Sequence, residues 1–186
     1  MAETRGPTQI ENRNFLAPVG FKFNLQRSPG VAYFCNQANI PDISLGVAQQ
    51  PNYLRDIPTP GDKMDFGDLS LRFLVDEDLK NYMEIHNWIR ALGTPSDFTE
   101  RKEWNESNRS DSRSKERNTK WSDATLQVLN NNNLVNFDVV FQSVFPVSLS
   151  TLPFDVTGTD NDYFTATATF RYTLYEVREK NSQTRR

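Results

Sequence analysis

The stretch that decides the fold class runs from Tyr163 to Val177 and reads YFTATATFRYTLYEV. Apolar and polar residues alternate along it, and this period predicts one long strand with a single buried face. The apolar face carries aromatic and small side chains, namely Phe164, Ala166, Ala168, Phe170, Tyr172 and Leu174. The opposite face is polar and consists of Thr165, Thr167, Thr169, Arg171 and Thr173. At about 3.3 Å per residue the strand would span about 50 Å, which is long for one small domain but natural for a sheet that continues between subunits.

Further strands are predicted from apolar alternation and composition over residues 21–26, 31–38, 68–75, 124–129 and 134–145. Ser28-Pro29-Gly30 is typical of a turn, so the first two of these strands are predicted to form a hairpin. The run Asn130–Asn133 predicts a second hairpin, because asparagine tolerates the left-handed backbone of tight turns. We expect Pro146 to end that hairpin, and we expect a turn around Gly158–Asp162.

One helix is predicted after the strand over residues 68–75. Asp76 is a good N-cap, and Glu77 and Asp78 place negative charge at the positive end of the helix dipole. Gly93, followed by Thr94-Pro95, predicts the end of the helix. The predicted apolar stripe consists of Leu79, Tyr82, Met83, His86, Ile89 and Leu92, widened by Ile85 and Trp88. We therefore predict a mainly β fold with one α-helix and long loops.

The segment from Asn39 to Lys63 is predicted to be an irregular loop, since it holds four prolines and two glycines in 25 positions. Loops of this length inside compact domains are uncommon and are usually functional or ordered by a partner. This one carries more apolar residues than a solvated linker would, so it either folds back on its own core or packs on a neighbouring subunit, and we favour the second. The candidate subunit-interface residues are Ile43, Leu45, Val47, Tyr53, Leu54, Arg55, Asp56 and Ile57.

The 186 residues fit a single domain. Three segments are predicted to lie outside its core: a polar N-terminal arm over residues 1–18, a long charged loop over 96–123 and a charged C-terminal tail over 178–186. The loop mixes charges of both signs with serine and asparagine, which is close to a disordered composition. Its basic residues could contact nucleic acid, but the interleaved acidic residues favour a solvated surface loop.

The residues that metal and catalytic chemistry require are scarce in this chain. One cysteine, Cys35, and one histidine, His86, cannot build a zinc or iron–sulfur site. Cys35 lies in an apolar, aromatic run and is interpreted as a small buried hydrophobe, and His86 is interpreted as a core or interface residue of the helix. The sequence has no Gly-rich phosphate loop, metal-ligand spacing or nucleophile elbow. We therefore predict that the protein is not an enzyme and has no catalytic residues, no metal and no cofactor.

The charge balance bears on the class of partner. The net charge is −3, from 21 basic and 24 acidic side chains, which argues against a protein that grips nucleic acid through a basic face. No apolar run approaches the about 18 residues of a membrane span, and the start of the chain does not resemble a signal peptide. We expect a cytosol-like compartment and no membrane segment.

Several segments occur in a recognisable order: FCNQANIP at 34–41, GDK at 61–63, DED at 76–78, HNWIRALG at 86–93, VFPVSL at 144–149, FD at 154–155 and YTLYE at 172–176. In this order and spacing they resemble the tail tube superfamily of contractile-tailed bacteriophages. The similarity covers about residues 20–177 without 96–123.

The resemblance implies a β-barrel or a sandwich of antiparallel sheets with one flanking α-helix. It also implies that six subunits join their sheets into a homo-hexameric ring, and that rings stack into a tube inside a contractile sheath. The tube would conduct DNA into the host, with only transient and non-specific contact. The implied protein partners are other copies of the chain and the sheath, baseplate or neck proteins of the tail. The implied location is the virion tail, after assembly in the host cytoplasm. The polar face of Thr165, Thr167, Thr169 and Arg171 would then line the lumen or the exterior.

The superfamily also includes the initiator and the terminator of the tube. The short N-terminal arm suits a tube or terminator subunit, whereas the stretch Asn81–Trp88 also resembles initiator-type helices, so the three roles stay open. A hypothesis from a different class is a monomeric β-domain whose long loop grips a partner protein. The size of the purified particle separates the two classes.

Overall fold

The computed structural model describes residues 15–93, 120–156 and 163–179, together with positions 99 and 102. Within these residues the elements are β1 (Phe21–Leu25), α1 (Pro29–Tyr33), β2 (Cys35–Ala38), β3 (Ile43–Gln50), β4 (Ile57–Phe66), β5 (Leu69–Leu74), α2 (Lys80–Gly93), β6 (Ser122–Leu129), β7 (Val135–Leu149), β8 (Thr165–Arg171) and β9 (Leu174–Glu179). The prediction of a mainly β fold with one substantial helix is confirmed. The predicted turn at 158–162 and most of the predicted arm, charged loop and tail lie outside the described residues.

Seven of the nine described strands form one antiparallel sheet in the order β1-β6-β7-β8-β5-β2, with β9 also paired to β7. The longest strand, β7, pairs with β6 on one side and with β8 and β9 on the other. Buried side chains from all parts of the sheet meet in one cluster, so the sheet curves around a single core. Ile85 and Trp88 of α2 are buried in the same cluster, which places the helix against the core.

The predicted strand over 163–177 is interrupted once. β8 and β9 follow β7 in one register, since Arg171 pairs with Phe145 and Leu174 pairs with Gln142. The prediction of an unbroken strand is wrong at the two residues between β8 and β9, where β7 carries an extra residue relative to β6 and Ser143 has φ 56°. Such a bulge bends the strand that carries it, and the break between β8 and β9 lies beside this point of β7. Within β8 the predicted alternation is confirmed, because Ala166, Ala168 and Phe170 are fully buried.

The predicted hairpin over residues 21–38 is wrong. The turn residues begin the short helix α1, and β1 and β2 pair with different strands, β6 and β5. Proline is favoured in the first turn of a helix, where its missing N–H costs no hydrogen bond. Pro29 therefore starts a helix that buries Val31 completely, and the chain crosses from one end of the sheet to the other.

The hairpin around Asn130–Asn133 is confirmed, with Asn133 at φ 59°. The Asn130 side chain accepts hydrogen bonds from the backbone N–H groups of Asn132 and Leu134, at 2.9 and 3.0 Å. Pro146 does not end the second strand, because β7 continues through it to Leu149. Its missing N–H is tolerated beside a register irregularity, between Pro146 and Ser148.

Helix α2 begins at Lys80, four residues after the predicted cap Asp76. Between them Leu79 has φ 58°, and its N–H donates to the Asp76 carbonyl at 2.9 Å, so this segment forms a turn. The buried face consists of Asn81, Ile85, Trp88 and Ala91. The buried face is thus rotated about the helix axis relative to the predicted apolar stripe. The prediction of His86 as a core residue is wrong, since His86 is exposed. The cause is Asn81, whose buried amide donates to the Leu74 carbonyl at 2.7 Å and fixes the start of the helix against β5.

Candidate assembly interface

Strands β3 and β4 form a two-stranded sheet of their own, separate from the main sheet within the described residues. Every residue of β3 is exposed, and no residue of β4 is buried. The prediction of an irregular loop over this segment is therefore wrong. The alternative in which the segment folds back on its own core does not fit this exposure.

The hairpin has one apolar face. Its apolar cross-strand pairs are Ile43 with Phe66, Leu45 with Met64 and Val47 with Pro60. Alternate residues of a strand share a face, so these pairs lie together along the length of the hairpin. Ile43, Leu45 and Val47 are each more than half exposed. Contiguous exposed apolar surface of this kind is typical of interaction sites.

The tip of the hairpin, residues 51–56, carries the most exposed apolar candidates. The exposed fraction is 98% for Tyr53 and 91% for Leu54, and Arg55 and Asp56 beside them are also exposed. The structure thus brings all eight candidate interface residues onto one hairpin, with three on β3, four at the tip and Ile57 at the start of β4.

Two glycines let the strands of the hairpin approach closely at a register shift. The shift lies between Leu45 and Val47 of β3, where Gly46 and Gly61 face each other. A Cβ atom added at Gly61 would overlap the Gly46 backbone, so only glycine fits at this position.

The root of the hairpin is held by two tyrosine hydroxyl groups from outside it. The Tyr175 hydroxyl donates to the Pro41 carbonyl at 3.2 Å, just before β3, and the Tyr172 hydroxyl donates to the Gly67 carbonyl at 3.0 Å, just after β4. The Gly67 N–H donates to the Asp42 carbonyl at 3.0 Å and closes the root. The sequence does not reveal these contacts, since the alternating pattern only places Tyr172 on an apolar strand face and the paired residues are distant along the chain.

Aromatic rings connect this root to the core. Phe66, at the end of β4, lies with its ring centroid 5.7 Å from Tyr175 and 6.2 Å from Tyr172. Both tyrosine rings contact the fully buried Phe141, at 5.1 and 5.7 Å. Burial, followed by the neighbouring Tyr175 and the carboxylates of Asp42 and Asp68, raises the pKa of Tyr172 to about 12. The Tyr172 hydroxyl therefore stays protonated and able to donate throughout the neutral pH range.

The predicted polar face lies on β8. Thr165 and Arg171 are exposed, and Thr167 and Thr169 are half-buried. The neighbouring strand β5 continues this face, because Thr167 pairs with Arg72 and Thr169 pairs with Ser70. The Arg171 guanidinium lies 2.8 Å from the Asp68 carboxylate. The face therefore combines neutral hydroxyl groups with two arginines, of which Arg171 is paired with Asp68 and Arg72 donates to the Asn36 side-chain oxygen at 3.3 Å.

A shallow groove lies between α2 and the end of β7, with a volume of about 630 Å³. Its lining residues include Tyr82, His86, Ile89, Val147 and Leu149. The sequence pattern predicts His86 on the apolar side of the helix, but it does not predict that the helix lies beside residues 147–149, since these belong to a strand distant along the chain.

Cys35 is half-buried, and its thiol donates to the Gln37 carbonyl at 3.4 Å. Burial raises the pKa of the Cys35 thiol from 9.0 to about 11, against the smaller lowering effect of that hydrogen bond. Burial lowers the thiolate fraction at pH 8 about a hundredfold, and the more basic thiolate is up to about tenfold more nucleophilic, so we predict that Cys35 reacts about tenfold more slowly with a disulfide reagent than an ordinary cysteine of pKa near 9. Reaction rates of the native and the urea-unfolded protein test this, and equal rates would contradict it.

Among the described residues, no group of three or more histidine, cysteine or acidic side chains is placed to hold a metal ion. No helix in the described part of the chain is long and apolar enough to cross a membrane.

A family model described as phage tail tube protein matches residues 9–178. No curated protein matches the chain by sequence. Among solved structures, the chain is similar to a protein of the tube-terminating cap of the anti-feeding prophage, with 16% identity, a TM-score of 0.58 and coverage of 96% of this chain and 99% of that chain. It is also similar to a chain of the sheath–tube complex of an extracellular contractile injection system, PVC, with 16% identity, a TM-score of 0.56 and coverage of 90% and 93%. A chain of the anti-feeding prophage baseplate, in a 6-fold symmetrised structure, matches with 16% identity, a TM-score of 0.56 and coverage of 87% and 92%.

The fold and the family match together define a tube-type structural protein of a tail rather than an enzyme. The chain belongs to the phage tail tube protein family. The resemblance found in the sequence is thereby confirmed.

Proposed function

We propose that the chain is the subunit of a contractile-tail tube, in which hexameric rings stack to form the conduit for DNA ejection into the host. The observation that carries this proposal is the β3–β4 hairpin, whose apolar face and tip have no covering element within the described residues. A second copy of the chain is the partner that a repeating tube provides.

The energetics of the hairpin support this reading. An isolated two-stranded hairpin is marginally stable in water, so contact of its apolar face with another chain would stabilise it. Packing the hairpin on a neighbouring subunit would bury Leu45, Val47 and Leu54 and would order the tip. The candidate interface residues are therefore proposed to contact neighbouring subunits.

The main sheet also offers edges for ring closure. Among the described strands, β1 pairs only with β6 and β2 pairs only with β5. Closing such edges against the next subunit removes the aggregation hazard of a monomer. The 6-fold symmetrised baseplate that contains a similar chain supports a ring of six.

The polar face of Thr165, Thr167, Thr169 and Arg171 is proposed to line the lumen. A conduit for DNA should bind phosphate only weakly, and neutral hydroxyl groups beside an arginine that is paired with Asp68 are consistent with this. The net charge of −3 for the chain acts in the same direction. The proposed partners are sheath, baseplate or neck proteins, and the proposed site of assembly is the host cytoplasm.

A terminator role is the second candidate. The similarity to the cap protein extends over 96% of this chain and 99% of the other. Immunogold labelling of the assembled tail separates the roles, because a tube subunit labels the whole length and a terminator labels one end.

The oligomeric state tests the assembly itself. We predict that the purified protein forms six-membered rings at high concentration or on a tail template, with a mass six times the 21.4 kDa of the chain. Light scattering and electron microscopy measure this. A strict monomer at every concentration, with no ring in assembled particles, would favour the monomeric binding module instead.

A further inference from the structure

We propose that Tyr172 and Tyr175 are positioning residues for assembly, which fix the direction in which the β3–β4 hairpin leaves the subunit. The inference rests on the proposed function, because it takes the hairpin as the surface that binds a neighbouring copy. Neither tyrosine belongs to the hairpin, so the inference assigns a role to residues outside the candidate interface.

The two hydroxyl groups hold the two ends of the hairpin separately. Tyr175 holds the Pro41 carbonyl on the incoming chain, and Tyr172 holds the Gly67 carbonyl on the outgoing chain. Both acceptors are backbone atoms, so the hydrogen bonds constrain the path of the main chain itself.

These constraints matter because the other hydrogen bonds at the root join the incoming and outgoing chains only to each other: Gly67 with Asp42, and the Asn39 side chain with Asp68 and Ser70. Within the described residues β3 and β4 pair only with each other, so the hairpin can swing about its two connections unless these are fixed. The contacts of both tyrosine rings with the fully buried Phe141 tie their hydroxyl groups to the rigid part of the subunit. Phe66 contacts both rings and resists a swing at the end of β4.

A fixed hairpin favours assembly by pre-organisation. The apparent affinity of a binding surface falls in proportion to the fraction of molecules in the competent orientation. If loss of both hydroxyl groups lowers that fraction to about a tenth, the concentration needed for ring assembly rises about tenfold.

The test is the double variant Y172F/Y175F, which removes two hydroxyl groups and keeps both rings. The matched control is Y82F, because the Tyr82 hydroxyl also donates to a backbone carbonyl, that of Ser150 at 3.1 Å, away from the hairpin root. We expect the double variant to need about tenfold more protein for half-maximal assembly by light scattering, and Y82F to behave as the wild type.

Hydrogen exchange supplies a readout that a general loss of stability would not produce. It is measured on the dispersed subunit, in the Leu54→Asp background. We expect faster exchange over residues 43–50 and 57–66 in the double variant, with unchanged exchange over β6 and β7. Y82F is expected to leave the hairpin unchanged.

The outcomes separate this inference from the proposed function. Unchanged assembly and unchanged hairpin exchange in Y172F/Y175F, or an equal loss of assembly in Y82F, would overturn the inference. Normal assembly of Leu54→Asp alone would instead contradict the proposed interface. If the double variant does not fold, the single variants Y172F and Y175F are tested instead. The inference would be overturned if both melt at the wild-type temperature and assemble as the wild type does.

Discussion

Replacing Leu54 with aspartate is expected to abolish ring assembly and to leave the subunit folded. The Leu54 side chain is 91% exposed in the subunit, so the new charge meets water there and costs the fold little. At a subunit contact the same carboxylate would be buried without a partner, which costs several kcal/mol. A six-membered ring repeats the contact six times under the proposed function, so even a modest loss at each contact prevents closure.

The measurements are circular dichroism and thermal melting of the isolated variant, set beside its ring content by electron microscopy. Val156→Asp is the matched control, since Val156 is also fully exposed but lies after β7 and outside the hairpin. The control is expected to assemble. Loss of the fold in Leu54→Asp would place the tip in the core of its own subunit, and normal rings would show that Leu54 faces water.

Local sequence patterns predict those strands and turns whose formation depends mainly on their own residues. Neighbouring residues are enough to predict β8, from its alternation of alanine and threonine. They are also enough to predict the asparagine turn between β6 and β7. The strands that pair with β1 and β2 could not be predicted in this way, because strand pairing depends on residues far along the chain. A proline after Ser28 is equally compatible with a turn and with the start of a helix. The structure has the helix, which buries Val31.

The amino-acid composition of residues 39–63 predicts the candidate interface, but it does not predict that the segment forms a hairpin. Surplus apolar residues identified the segment, but Pro58 and Pro60 argue against a strand, since proline cannot donate to a ladder. In the structure they lie in β4, opposite Gln49 and Val47, in a hairpin with no third strand to need their N–H groups among the described residues. The absence of a third strand beside the hairpin among the described residues therefore both leaves it exposed and permits its prolines.

The position of α2 shows how one buried polar side chain overrides a periodic pattern. The sequence places Met83 and His86 on the apolar stripe, yet both are exposed. Asn81 is 2% exposed, because its amide joins the start of the helix to the end of β5. A buried polar group must satisfy its hydrogen bonds, and this requirement sets the rotation of the helix.

Replacing Trp88 with alanine is expected to cause the largest loss of stability among single changes in α2. Trp88 is 1% exposed, and its ring centroid lies 6.3 Å from that of Phe170 in β8. Its indole N–H donates to the Lys120 carbonyl at 3.2 Å, and the Arg27 guanidinium lies 5.2 Å from the centre of its ring. Trp88 thus joins the helix to the sheet and to the chain that enters β6.

Removing a buried tryptophan of this kind costs about 3–5 kcal/mol, from lost transfer free energy and the cavity left behind. Domains of this size have only about 5–15 kcal/mol of stability, and each kcal/mol shifts the melting temperature by about 2–4 °C. We therefore expect thermal melting to fall by about 6–20 °C. Trp121→Ala is the matched control, because Trp121 is 44% exposed and should lose much less. Trp88→Phe keeps an aromatic ring and removes the N–H, so it is expected to melt between the wild type and Trp88→Ala. Equal melting of Trp88→Ala and Trp121→Ala would mean that α2 is not held to the sheet through Trp88.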